Sequence, residues 1–176
     1  MKKVVLRYGI YAGLAELICF VLIWLFFYIT HAGHKVQGVI GYINIFCPLL
    51  FVYFGIRYYR DKVANGSISF LGALKIGLLI VIIPTLSFAL VETVYVLYIE
   101  PNFYANVAAY DIEQYRKALN AAQFAAKMKE IKQQLETEKS PVYNFLAMVL
   151  TIGSVGVIMS LISALLLMRR PKPKLV

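Results

Sequence analysis

The sequence predicts an all-α integral membrane four-helix bundle with an amphipathic helical insert between the third and fourth spanning helices. Three observations predict it. First, four apolar stretches, at residues 8–29, 39–58, 73–99 and 142–168, each approach or exceed the length of helix that crosses a bilayer core; that core is about 30 Å thick and needs about 20 residues. Second, lysine and arginine gather at the ends of these stretches. Third, the polar segment at about 102–139 repeats its apolar residues at helical spacing. Of the 176 residues, 61% are hydrophobic, against about 45–50% in soluble domains. The excess lies in the four stretches, so residues 1–176 are expected to form a single membrane domain.

The first stretch follows Met1-Lys2-Lys3 and Arg7, a basic start of the kind a secretory signal has. Its apolar run is about twice the 7–15 residue core of a signal peptide, and Thr30-His31-Ala32 is a poor cleavage site. It is expected to stay as a spanning helix. Gly9, Ala12, Gly13 and Glu16 share one face. Small residues let another helix approach closely, so Glu16 is expected in a helix interface rather than in lipid. On the second helix Asn44 and Pro48 make a polar, weakened spot. Cys19 and Cys47 lie at membrane depth and read as small packing residues, not as a disulfide framework.

Between the second and third helices, Asn65-Gly66 predicts a tight turn and Ser67 or Ser69 a helix cap. Arg57, Arg60 and Lys62 are expected against anionic headgroups. On the third helix Thr85, Glu92 and Tyr95 share a face, so the two hydroxyls are placed to hydrogen-bond the Glu92 carboxyl. Pro84 removes one backbone bond and is a candidate kink.

In the insert, Ala108, Ile112, Tyr115 and Leu119 form one apolar stripe, and Phe124, Met128, Ile131 and Leu135 form a second. The step from Leu119 to Phe124 puts the stripes on nearly opposite faces at ~100° per residue. Either the helix breaks near Asn120, or one helix packs on both faces. Pro101 suits a start, Ser140-Pro141 a stop and re-entry, and Glu113 with Lys117 an i,i+4 pair. The insert is either a lid over the outer leaflet and bundle or a docking surface for an envelope partner. On the fourth helix Gly153, Gly156, Ser160, Ser163 and Ala164 form a packing face, turned toward another helix of this chain or toward a second copy.

Basic residues set the expected orientation. Lys2, Lys3 and Arg7 precede the first helix, Arg57, Arg60, Lys62 and Lys75 follow the second, and Arg169, Arg170, Lys172 and Lys174 follow the fourth. The first connection has only Lys35. The positive-inside rule then puts both termini in the cytoplasm and the insert outside, in a bacterial cytoplasmic membrane. Tyr98, Phe103, Tyr104 and Tyr143 are expected at the outer interface, and Tyr58 and Tyr59 at the inner one.

The net charge of +9 resides at helix ends, the orientation pattern and not a nucleic-acid-binding stripe. No G-x-x-x-x-G-K-[ST], H-E-x-x-H or G-x-S-x-G occurs, and Gly153-Ser154-Val155-Gly156 is not a nucleophile elbow. No catalytic residue, cofactor or metal site is therefore expected; His31 and His34 alone are a weak metal signal. Glu16 and Glu92 are the functional candidates, because carboxylates inside spans are costly and face an interior or a water-filled cavity. They carry protons along a pathway, or they lock two helices together through hydrogen bonds.

One segment is distinctive: Arg57-Tyr58-Tyr59-Arg60-Asp61-Lys62, then Asn65-Gly66-Ser67-Ile68-Ser69-Phe70, then Ala73, Lys75 and Gly77. It resembles the signature of an uncharacterised bacterial membrane family catalogued as domain of unknown function 4199. The resemblance continues at Glu100-Pro101-Asn102-Phe103, through the out-of-step insert, and at Ser140-Pro141. It implies four spanning helices with a helical insert, and no activity. Where members have a glycine between the insert's helices, this chain has Asn120-Ala121. The expected function is that of a non-enzymatic accessory or interaction protein of the bacterial envelope, with the lipid bilayer and either a second copy or an envelope protein as partners. The alternative is a small proton-coupled transporter or channel, acting as an oligomer through Glu16 and Glu92.

Overall fold

The computed structural model describes residues 1–30 and 34–169. The readings placed on His31, on the side chains of His34 and Lys35, and on Arg170, Lys172 and Lys174 fall outside what is described. The chain is helical almost throughout: α1 (Lys2–Thr30), α2 (His34–Tyr58), α3 (Phe70–Val94), α4 (Phe103–Ala118), α5 (Ala121–Glu138) and α6 (Pro141–Leu167). Among the described residues, four helices are long and apolar enough to cross a membrane, over Lys2–Thr30, Val39–Val63, Phe70–Ile99 and Pro141–Leu167. Leu14, Ile18, Leu22, Leu150 and Leu166 on their outer surfaces are exposed, as lipid-facing side chains are. The chain is a multi-pass membrane protein with α4 and α5 as its insert.

The helices outrun the apolar stretches where nothing stops them. α1 begins at Lys2, six residues before the apolar run, because no glycine or proline breaks the backbone ladder there. α3 begins at Phe70 because Ser69 caps it, accepting a hydrogen bond from the Gly72 amide at 3.2 Å and satisfying an orphan donor of the first turn. α3 continues through the buried Pro84. α2 and α3 each end in a wider π-type turn, Tyr59–Val63 and Tyr95–Ile99. Asn65 and Gly66 both take positive φ, 51° and 81°, the geometry of a tight reversal for which Asn-Gly is suited.

α3 is the central element. A methyl group placed on Gly9 would lie 2.6 Å from Ile83 Cδ1, and one on Gly13 would lie 3.2 Å from Ile83 Cγ2, so α1 rides directly on α3. Across α3, a methyl on Gly77 would lie 2.9 Å from Ser160 Cβ, and one on Gly156 would overlap Val81. The small face of α6 thus meets α3 of the same chain. Gly153 is looser: a methyl there would find only Thr85 Cγ2, at 4.0 Å. α2 completes the core with Leu49, Val52 and Ile56, packed on Ile76, Ile80, Val81, Ala164 and Leu167.

Arg60 departs from the expected headgroup position. It is 7% exposed. Its Nε and Nη2 donate to the two Asp61 carboxylate oxygens at 2.6 and 3.1 Å, and Nη1 donates to the Leu167 carbonyl at 3.4 Å. The π-type turn carries Arg60 inward over the end of α6, where a planar guanidinium has enough donors to hold both partners. Nearby, Ile68 and Arg169 exchange two backbone hydrogen bonds of 3.0 and 2.9 Å, closing the 59–69 connection onto the end of α6. Arg57 and Lys62 are exposed, and Arg57 reaches Asp61 only at 3.8 Å.

The insert is two helices. Asn120 accepts from the Gln123 amide at 3.0 Å while its own amide donates to Gln123 Oε1 at 3.4 Å, a capping box. The break thus uses asparagine side-chain chemistry instead of glycine. Across the hairpin Arg116 lies over the Phe124 ring at 5.9 Å and Lys127 over the Tyr115 ring at 5.5 Å. The Lys127 ammonium also bonds Glu130 at 2.8 Å, which holds it above its ordinary pKa range. Glu113 does not pair with Lys117 among the described ion pairs; its side chain lines a chamber instead. α4 begins at Phe103, after a turn that holds Pro101 and Asn102. Ser140 caps α6 and Pro141 occupies its first turn.

Two outcomes test this packing. Gly156→Leu is expected to destabilise the detergent-solubilised bundle by about 1–3 kcal/mol, the range for overpacked cores, while Gly153→Ala leaves the thermal midpoint nearly unchanged. Arg60→Ala is expected to cost about 1–3 kcal/mol through the partners it strands, and Arg57→Ala under about 1 kcal/mol, as exposed pairs do; equal midpoints for the two arginine variants would refute the buried tie.

Candidate functional site

The end of the bundle that carries the insert holds a chamber of about 1150 Å³. Its wall from α1 is Phe20, Ile23, Trp24, Phe27 and Tyr28. α2 contributes Tyr42, Asn44 and Ile45, and α3 with its π-type turn contributes Phe88, Glu92 and Tyr95. Glu100 and the α4 residues Phe103, Asn106, Val107, Tyr110 and Glu113 form the roof.

Local sequence explains how the roof is fixed. In the widened turn the Glu100 amide bonds the Tyr95 carbonyl at 2.8 Å. The same five-residue spacing brings the Tyr95 hydroxyl to the Glu100 carboxylate, to which it donates. The Tyr95 ring also meets Phe20 edge-on at 5.5 Å and Phe103 at 6.1 Å. One tyrosine therefore joins α1, α3 and α4. At the far side of the insert the buried Asn144 side-chain amide donates to the Glu138 carbonyl and ties α5 to α6. Burial pushes the Tyr104 phenol well above its ordinary range, and the carboxylates of Glu92 and Glu138 push the same way. Tyr104 is a neutral donor at physiological pH.

The residues singled out in the sequence separate into groups. Glu92, Tyr95 and Asn44 come together in the chamber wall. The Tyr95 hydroxyl goes to Glu100 and not to Glu92, because the π-type turn rotates it off the regular helical face. Thr85 lies lower on α3, beside Gly153, and its buried Oγ1 has no hydrogen-bond partner among the described residues. Glu16 is 2% exposed, inside the bundle as its small-residue face required, and does not line the chamber. Gly13 against Ser87 and Phe20 against Tyr95 set the register of α1 on α3, which places Glu16 about half a helical turn, roughly 3 Å, below the level of Glu92. Cys19 and Cys47 are free thiols that face one another across α1 and α2.

Four buried side-chain atoms lack a hydrogen-bond partner among the described residues: Glu16 Oε1, Asn44 Oδ1, Thr85 Oγ1 and Thr93 Oγ1. A buried polar atom left unpaired costs about 1–3 kcal/mol, so such atoms mark places where something other than stability has shaped the sequence. Of the four, only Asn44 Oδ1 belongs to the chamber wall. No three of the described His, Cys, Asp and Glu residues converge closely enough to hold a metal ion.

Sequence reasoning passed over Glu100, Asn144 and Trp24. Glu100 joins the site through a five-residue spacing that a 3.6-residue periodicity does not pick out. Asn144 had a usable signal, a lone amide in an apolar run just after a helix-starting proline. Trp24 is the one tryptophan of the chain, in an α1 segment whose aromatic residues read equally as lipid-facing.

No curated protein and no solved structure matches this chain. The family model described as protein of unknown function (DUF4199) matches residues 7–169, which takes in all four spanning helices, the roof and the tie at the end of α6; the chain is a member of that family.

Proposed function

We propose that this protein is a non-enzymatic accessory or interaction protein of the bacterial cytoplasmic membrane, working through the end of the bundle that carries the insert. The observation that carries this reading is the insert itself. α4 has no buried residue and α5 only Ile131, yet the hairpin is held by side-chain ties at both of its ends over a chamber. A segment that contributes so little to the core is placed for contact with something else. Surface loops on a rigid scaffold commonly carry binding functions. The catalytic motifs absent from the sequence point the same way.

The basic residues at the opposite end support an orientation with both termini in the cytoplasm. Arg57, Lys62 and Arg169 are exposed there, free to meet anionic headgroups. In a cysteine-free background, a single cysteine at Asn120 is expected to react with an impermeant maleimide in intact spheroplasts and one at Asn65 only after lysis. Labelling of Asn65 alone in intact cells overturns the orientation.

A second reading has its own observation: Glu16 is buried in the span with one carboxyl oxygen unpartnered among the described residues, about half a helical turn below Glu92. That arrangement suits a proton-coupled transporter or channel acting as an oligomer. Mild-detergent purification from the native membrane, with mass spectrometry and the mass of the complex, separates the two. A stoichiometric foreign partner is the expected result. A partner-free homo-oligomer whose proton flux in liposomes is lost in Glu16→Gln or Glu92→Gln sinks the accessory reading in favour of transport.

A further inference from the structure

We propose that the chamber is a binding site for a monovalent organic cation with an apolar body. The proposal rests on the reading that the insert end is the working part of the molecule, and goes on to the chemistry of its occupant.

The walls speak to charge first. Glu92, Glu100 and Glu113 line the chamber, and none of them forms an ion pair among the described residues. No lysine, arginine or histidine is among the described lining residues. Asn44, 6% exposed, adds a polar amide to the same wall. Three lining carboxylates with no counter-charge among the described residues favour a positive charge from outside the chain.

Much of the remaining surface is aromatic. Phe20, Trp24, Tyr28, Tyr42 and Phe103 line it together with Tyr95, and ring faces attract cations within about 6 Å, the more strongly when water is excluded. Size then selects among cations. A bare metal ion needs ligands that converge, and the described carboxylates do not converge. A volume of about 1150 Å³ instead suits a molecule at the upper end of small-ligand sites, about 300–1,000 Å³. Carboxylates spaced around an aromatic enclosure match a diffuse positive charge embedded in apolar groups, as in an ammonium or phosphonium compound. The ammonium headgroup of a lipid offers the same chemistry as a free amphipathic amine.

Trp24 makes the test direct, because the chain has one tryptophan and it lies in the wall. The full chain is placed in phosphatidylglycerol nanodiscs and titrated with tetraphenylphosphonium while Trp24 fluorescence is read. The isosteric anion tetraphenylborate is the control. A saturable change with the cation and none with the anion is expected. Glu92→Gln is expected to weaken binding roughly ten- to a hundredfold, the equivalent of one desolvated charged contact. Glu113→Gln on the exposed roof, which cannot unfold the bundle, weakens it several-fold, and Glu136→Gln at the exposed pair with Lys139 leaves it unchanged. Equal response to the anion, or wild-type affinity in both Glu92→Gln and Glu113→Gln, overturns the proposal. Repeating the titration in nanodiscs of half phosphatidylglycerol, with either phosphatidylethanolamine or a neutral glycolipid as the other half, identifies the source at constant surface charge. Weaker cation binding with phosphatidylethanolamine assigns the site to an ammonium headgroup, and equal binding assigns it to a free cation. A chain that brings down a stoichiometric partner yet shows no charge-selective binding keeps the accessory reading and loses this one.

Discussion

The close approach of α3 to α1 on one side and α6 on the other is the constraint on which the rest of the bundle depends. Lipid tails are as apolar as leucine, so burying leucine between spanning helices gains little; contact between backbones and small side chains has to supply the association. Gly9 and Gly13 let α1 settle on Ile83, and Gly77 and Gly156 let α6 settle on α3 with Ser160 and Val81 at the seam. The large side chains of Leu49, Ile56, Ile76 and Ile80 then fill the space that these approaches leave. α2 is the last layer, and its position is stated twice, by the core and by the Arg60 tie from its final turn to the end of α6.

That packing closes tightly at one end of the molecule and not at the other. At the termini end, the Asn65-Gly66 reversal, the Ile68–Arg169 backbone pair and Arg60 knit α2, α3 and α6 together. At the insert end the facing residues are large. α1 beyond Glu16 presents Phe20, Trp24 and Phe27, and α2 presents Tyr42. Rings of this size hold the helices apart, and the gap becomes the chamber. The insert roofs the gap through a handful of polar and aromatic ties, centred on Tyr95, Glu100 and Asn144. A bundle tight at one end and open at the other is a physical basis for confining binding chemistry to the insert end.

The polar residues follow the same division. Glu16 is enclosed where packing is tight, and Glu92 and Asn44 stand where it opens. Two carboxylates that look alike in the sequence, each a single charge in an apolar run, therefore occupy different surroundings. One is held among helices. The other faces a space with aromatic walls and further carboxylates.

Much of this was legible in the sequence alone. Span number, the Asn-Gly reversal and the burial of Glu16 are local properties, while the sequence left the insert as one helix or two and the α3 cap as Ser67 or Ser69, and the structure chose two helices and Ser69. The three local properties follow from hydrophobic period, turn chemistry or the small residues of one helix face, and none needs knowledge of a distant neighbour. Tertiary structure decided the rest, because the deciding contacts join residues far apart in the chain or break the regular helical period. Arg60 left the headgroups because the Leu167 carbonyl lay across from it, 107 residues on. Tyr95 turned from Glu92 to Glu100 because its turn widened. The chamber itself is the gap between three helices and a roof, a shape that no single stretch of sequence encodes, since it depends on where side chains from separate elements fail to meet.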